Sequence, residues 1–239
     1  MDRNCDGVSP GDAVVESIIL AGGFSRRFGD REKLAADVAG EPMIRRVVRT
    51  VEPLSRRLVV SCRREQRDGL AAALGATDGR DRDVPVSFAF DDRPDGGPLA
   101  GLASAIDEIG DDTDATLVLG GDFPLVRTAA FETLLTALGG EFGDGPPADA
   151  TLPSVGGRLQ PLCAACRTDA LRSGVASLEQ VRNRAVLSAF DPLSVRAVPA
   201  DQLPGGEASF RNVNTPTDLR EIVQTIGAET PPAGTGAKR

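Results

Sequence analysis

Short continuous apolar runs alternate along this chain with segments whose apolar residues recur every three or four positions. Ser17–Ala21, Leu58–Ser61, Val84–Phe90 and Ala115–Leu119 have the length and composition of strands buried on both faces. Between them, Met43, Ile44, Val47, Val48 and Val51 fall on one helical face. Further helices are predicted near Glu65–Leu74 and over Leu99–Ile109, and Phe131, Leu134, Leu135 and Leu138 form another stripe. Strand and helix in strict alternation predict an α/β fold: three α/β/α layers around a mostly parallel twisted sheet, Rossmann-like in plan. Ligands of such sheets bind beyond the carboxyl ends of the strands, where the strand order switches direction.

The pattern changes after residues 139–149, a Gly/Pro-rich loop. Thr151–Val155 and Leu159–Ala165 read as strands, followed by irregular or helical chain to about Ala189. The last helix carries its own start signal: Thr215 as N-cap, Pro216 at the first helical position and Asp218 three residues after the cap. Leu219, Ile222, Val223 and Ile226 supply its apolar stripe. Polar, Gly/Pro/Asp-rich residues 1–16 are expected to be a flexible arm and 228–239 a disordered tail, leaving one domain over 17–227.

Composition narrows the chemistry mainly through what is missing. The 239 residues include no His, Trp or Tyr, which excludes Ser-His-Asp hydrolysis, Cys-His proteolysis and HExxH zinc chemistry. Catalysis must use carboxylates, Lys, Arg, hydroxyls, thiols, backbone amides or an oxygen-bound metal. A net charge of −8 argues against nucleic acid as a partner. Of 27 basic residues only Lys33 and Lys238 are lysines. The Asp-rich, Lys-poor balance fits either a surface adapted to high salt or a coding bias toward Arg. Cys163-Ala-Ala-Cys166 has the CxxC spacing, but it lies in a predicted strand, where positions i and i+3 face opposite ways. Its cysteines, with Cys5 and Cys62, are expected to be structural thiols in a reducing cytoplasm. No apolar stretch is long enough to span a membrane, so no membrane partner is expected.

Two strand ends carry the candidate chemistry. The first continues as Leu20-Ala21-Gly22-Gly23-Phe24-Ser25-Arg26-Arg27-Phe28-Gly29, with Lys33 following. Paired glycines there let the backbone approach a ligand and turn amides toward an anion, while Arg27 and Lys33 add charge where a triphosphate would lie. The spacing is neither a Walker A loop nor GxGxxG. In a chain that uses Arg elsewhere, Lys33 suits a need for a compact, strongly hydrated point charge. The fourth strand ends Gly120-Gly121-Asp122-Phe123-Pro124, placing an oxygen ligand suited to Mg²⁺ on the functional rim, or else an Asp-Pro turn that caps the next helix. Gly97-Pro98-Leu99-Ala100-Gly101, after the acidic pair Asp91-Asp92, could offer backbone groups to a flat base, or be an ordinary turn into a helix. Leu159-Gln160-Pro161-Leu162 is a candidate lining for a second substrate. Asn212 and Asn214 are candidates either to give a metal an oxygen or to cap backbone.

Together LAGG-x-S-x-R-x-G with its following Lys, GPLAG, Asp-x-Pro, QPL and N-x-NTP-x-DL resemble, in order, the molybdenum cofactor guanylyltransferases (MobA-type), from about Ser17 to Ile226. That resemblance implies a nucleotidyltransferase fold with a nucleotide-binding half over about 17–138 and an acceptor-binding half over about 150–227. It implies Mg²⁺-dependent transfer of GMP from GTP to the terminal phosphate of Mo-molybdopterin, with a molybdoenzyme or another cofactor-biosynthesis protein as a further partner. By position, Leu20, Ala21, Gly22 and Gly23 match the nucleotide loop, Lys33 the phosphate lysine, and Asp122 the metal aspartate. Ser61 and Asp91 match positions near the nucleotide, and Arg27 joins Lys33 and Asp122 as catalytic candidates. Asn214 is a second candidate ligand for the metal. Gly121 stands where Cys is frequent in that family, and Ser61 where Asn is. The alternatives are cytidylyl or guanylyl transfer to another phosphate acceptor, such as a cobinamide phosphate, and a non-catalytic nucleotide or cofactor carrier. An NAD-dependent oxidoreductase lacks its GxGxxG here.

Overall fold

Alternate residues of the central strands enter two separate cores, one on each face of a single sheet. The computed structural model describes residues 13–23, 28, 33–75, 84–90, 96–139, 146–178 and 184–229. In chain order they form strand β1 (Val15–Leu20), the short strands β2 (Asp37–Val38) and β3 (Glu41–Pro42), helix α1 (Met43–Val51), β4 (Arg57–Cys62), α2 (Arg67–Ala73) and β5 (Val86–Phe90). There follow α3 (Gly97–Ile106), β6 (Ala115–Gly120), α4 (Thr128–Leu138), β7 (Ala150–Val155), β8 (Arg158–Leu159) and β9 (Cys163–Arg167). Helix α5 (Thr168–Ala176), strand β10 (Val195–Pro199) and α6 (Pro216–Glu229) complete the series.

The main sheet has eight strands in the order β10-β7-β9-β6-β1-β4-β5, with β8 paired to β7. β5, β4, β1 and β6 are mutually parallel, β9 is antiparallel to both its neighbours, and β10 is parallel to β7. From β1 the chain steps outward to β4 and β5, then returns to the other side of β1 as β6. The switch in strand order therefore falls between β1 and β6, the position at which open α/β sheets hold their ligands.

Helices cover both faces because the strands are apolar on both. Ile19, Leu58, Val60, Leu117 and Leu119 pack with α1, α2, α4 and α6 in one core. Ile18, Val59 and Val118 pack with α3, α5 and the 3-10 turn Val186–Phe190 in the other. The five apolar residues predicted for one face of α1 are all buried, each worth roughly 1.5–3 kcal/mol relative to exposure. Cys163 joins the first core and Cys166 the second, as a strand's two-residue period requires for positions three apart.

Several boundaries differ from those read in the sequence. β1 begins at Val15 rather than Ser17, so Val15 and Glu16 belong to the sheet and not to an arm. The strand expected over Leu159–Ala165 is interrupted: β8 ends at Leu159 and β9 starts at Cys163. Between them Gln160-Pro161-Leu162 forms a turn closed by the Cys163 amide donating to the Gln160 carbonyl at 3.0 Å. Pro161, without an N–H, cannot serve a ladder there. The β2–β3 hairpin and β10 were not predicted. The α6 signal holds in detail: the Asp218 carboxylate accepts from the Asn214 and Thr215 amides at 2.8 Å each, and the Thr215 hydroxyl accepts from the Asp218 amide at 3.2 Å. Among the described residues no helix is long and apolar enough to cross a membrane.

Candidate active site

Strand register brings the candidate residues together. Leu20, the last residue of β1, pairs with Ser61 of β4 on one side and Gly120 of β6 on the other. The pairing continues one residue past the strand ends. The Ala21 amide donates to the Ser61 carbonyl at 2.8 Å, and the Gly121 amide donates to the Leu20 carbonyl at 2.9 Å. Asp122 thus leaves β6 directly beside the loop that leaves β1. The Ala21 amide is consumed by this pairing and is closed to an anion. Gly22 and Gly23 make no backbone hydrogen bond to another described residue.

Lys33 returns to the same point from its 3-10 turn, Lys33–Ala35. Its ammonium donates to Asp122 Oδ2 at 2.8 Å and to the Val213 carbonyl at 2.9 Å. The Val213 amide in turn donates to the Asp122 carbonyl at 2.9 Å. Three segments far apart in sequence are tied by these bonds at the switch point. The two side chains are 12% and 18% exposed, sheltered yet reachable from solvent. Asp122 caps no helix, since α4 starts at Thr128 behind Arg127. Val213 was missed in the sequence because it contributes only a main-chain carbonyl.

The glycines here are required by close approach. A Cβ on Gly120 would lie 2.9 Å from the Phe123 ring and 3.1 Å from Asp122 Oδ1, so the missing side chain makes room for both. Oδ2 takes the ammonium, and Oδ1 is the carboxylate oxygen that could hold an oxygen-seeking cation. One carboxylate completed by phosphate oxygens suits Mg²⁺ rather than a metal caged by protein alone. Among the described residues no three His, Cys, Asp or Glu side chains group around a metal.

Gly101 of α3 shows why the GPLAG segment ends in glycine. A Cβ there would stand 2.8 Å from the Ser61 hydroxyl and 3.8 Å from Leu20. Helix α3 therefore lies against the ends of β1 and β4, and Ser61, 1% exposed, is an internal wall of the site. Gly101→Ala is expected to cost about 1–2 kcal/mol by overpacking, and adding Ser61→Ala to recover most of it. Urea unfolding of the two single variants and the double variant checks this; purely additive losses would show that the contact is not the cause.

Burial raises the Cys163 thiol well above its ordinary pKa, and the Asp122 carboxylate adds to the rise. Burial thus favours the neutral thiol at this position. Gln160 and Leu162 lie in the turn joined to β6 by the Gly120 amide, which donates to the Leu162 carbonyl at 2.8 Å. Asn214 is exposed and follows Val213 directly, and its backbone amide donates to Asp218. Arg27 and Asp91 lie outside the described residues.

The sequence profile of the MobA-like NTP transferase domain matches residues 17–195. A probable molybdenum cofactor guanylyltransferase of Haloferax mediterranei is 37% identical over 86% of this chain and 91% of its own length. A molybdenum cofactor guanylyltransferase of Pseudomonas aeruginosa is 31% identical over 83% and 89%. Among solved structures, the molybdopterin-guanine dinucleotide biosynthesis protein A of Archaeoglobus fulgidus superposes with a TM-score of 0.65 at 24% identity, over 89% of this chain and 99% of that one. A 4-diphosphocytidyl-2C-methyl-D-erythritol synthase of Anaerococcus prevotii reaches 0.66 at 13% identity, a likeness of fold.

Proposed function

Because this chain belongs to the MobA-like NTP transferase family, we propose that it transfers GMP from GTP to the terminal phosphate of Mo-molybdopterin, releasing pyrophosphate. That it is a nucleotidyltransferase follows from the family, and its relatives' names assign the guanylyl group and the molybdenum cofactor. The observation that carries the reading is the 2.8 Å contact of Lys33 with Asp122 at the strand-order switch.

In the proposed reaction an oxygen of the acceptor phosphate attacks the α-phosphorus of GTP, and the bond from that phosphorus to the β-phosphate bridging oxygen breaks. The attacking phosphate is already ionised and needs no side-chain base, which suits a chain without His. Catalysis then consists of positioning and charge neutralisation. Gly22 and Gly23 offer amides to the phosphates. Lys33, held in the free enzyme by Asp122 and Val213, moves its ammonium to the phosphate oxygens, and this frees Asp122 Oδ2. Mg²⁺, bound through Asp122, would supply further charge neutralisation on those oxygens. Arg27 is proposed to join Lys33 on the leaving pyrophosphate, and Asp91 and Ser61 to lie toward the guanosine. The half over about 150–227, including Gln160 and Asn214, is proposed to face the acceptor.

The test is pyrophosphate release by the purified chain with GTP, CTP or ATP, with Mo-molybdopterin or cobinamide phosphate as acceptor, with and without Mg²⁺. Release is expected with GTP, Mo-molybdopterin and Mg²⁺ together. A preference for CTP or for the cobinamide acceptor would overturn the substrate assignment, and no release with any combination would favour a carrier.

A further inference from the structure

The Lys33–Asp122 pair has a third corner, the main chain of Val213, and that corner is held from α6. Val213 is buried in the first core. Its amide donates to the Asp122 carbonyl at 2.9 Å, and its carbonyl accepts from the Lys33 ammonium at 2.9 Å. The next two amides, those of Asn214 and Thr215, both donate to Asp218 Oδ2 at 2.8 Å. One carboxylate therefore grips the two residues that follow the lysine's carbonyl acceptor. The bonds from Asn214 and Thr215 hold the Asp218 carboxyl below its ordinary pKa, so at neutral pH it is an ionised and strong acceptor.

The grip has a fixed base. Ile222 and Ile226 bury one face of α6 in the same core as Val213. On the other side of Val213, Arg211 pairs with Glu221 of α6 at 2.6 Å; both side chains are exposed, so that pair adds little. A capping box usually serves only the helix it begins. Here the capped residues adjoin Val213, so the same carboxylate also fixes where the Val213 carbonyl points.

We propose that Asp218 is a positioning residue for Lys33, acting through the Val213 carbonyl to set where the ammonium meets the nucleotide phosphates. The catalytic part of this rests on the guanylyltransferase reading; the placement of Lys33 in the free protein does not. An ammonium carries three protons on a flexible stem, and two of them go to Asp122 and Val213. When phosphate oxygens draw it from Asp122, the Val213 carbonyl is the contact that still steers it.

The test uses the chain's two lysines, Lys33 and Lys238. Lysine labelled at its ε-carbon gives the full chain two side-chain NMR signals, and Lys33→Ala identifies the one from Lys33. Without nucleotide, Asp218→Ala is expected to move that signal and Asp218→Glu to restore it. Thr215→Ala removes the other bond of the capping box; it is expected to lower Tm by a few degrees and leave the signal in place. With GTP, Mg²⁺ and Mo-molybdopterin, turnover by Asp218→Ala should fall about tenfold, while in Lys33→Ala the same substitution should cost nothing further. An unmoved Lys33 signal in Asp218→Ala, an equal shift in Thr215→Ala, or an equal fall in turnover on the Lys33→Ala background would overturn the proposal. Absence of transfer by the wild type would overturn the guanylyltransferase reading instead, and the NMR signal would still decide whether Asp218 places Lys33.

Discussion

Lys33→Ala and Asp122→Ala should each lower turnover by about a thousandfold or more, with cooperative unfolding retained. Each removes one of two opposite charges that meet at the strand-order switch, and no other Lys is present in the chain except Lys238. Lys33→Arg is expected to fail nearly as badly. The position between Asp122 Oδ2 and the Val213 carbonyl is filled by a compact ammonium, and a longer, planar guanidinium would spread the charge and shift it from that point. Because the two residues act as a unit, the double variant should be little worse than either single one. Steady-state turnover with GTP and acceptor, alongside circular dichroism of each variant, checks this. Wild-type rates in either alanine variant would remove Lys33 and Asp122 from the machinery.

The second large effect lies at the opposite end of β1. Glu16 is buried, and its carboxylate accepts from Arg56 at 2.6 Å, Arg57 at 2.9 Å and the Gly110 amide at 3.1 Å. Burial by itself raises the pKa of this carboxyl, but the bonds from Arg56, Gly110 and Arg57 together hold it below the ordinary carboxylate value. A carboxyl depressed by folding contributes stability above its unfolded pKa, near ~4.3, and loses it as pH falls through the folded value. Glu16→Ala is expected to cost about 1–3 kcal/mol at neutral pH, because it leaves the half-buried Gly110 amide without its acceptor and takes a buried carboxylate partner from Arg56 and Arg57. The gap between variant and wild type should shrink as the solution is acidified below that range. Urea titrations over a pH series measure it; a gap independent of pH would show that the charge is not responsible. Asp112, paired with Arg56 and pulled down to about 2, is exposed, so its pair contributes little.

The four parallel strands were legible because burial on both faces forces uninterrupted apolar runs, and few other elements produce them. The β2–β3 hairpin was not. Its strands are two residues each, and its turn puts Ala39 at φ +56° beside Gly40 at φ +93°, a conformation for which Ala gives no signal. β10 escaped because Arg196 and Pro199 make it read as loop, whereas an edge strand tolerates both. At the site, Lys33 and Asp122 could be picked out by residue type and by their places after strands. Val213 could not, since a carbonyl has no letter in the sequence. Nor could the sequence tell that the Ala21 amide serves the strand ladder while those of Gly22 and Gly23 do not.

The separation of Cys163 from Cys166 by the thickness of the sheet has a practical consequence. Each sulfur is sealed in its own apolar compartment and kept as a neutral thiol by burial. No disulfide can join them while β9 remains a strand, and oxidants in solution reach neither. A spacing that in other proteins sets a redox potential therefore leaves these two thiols apart, one in each core.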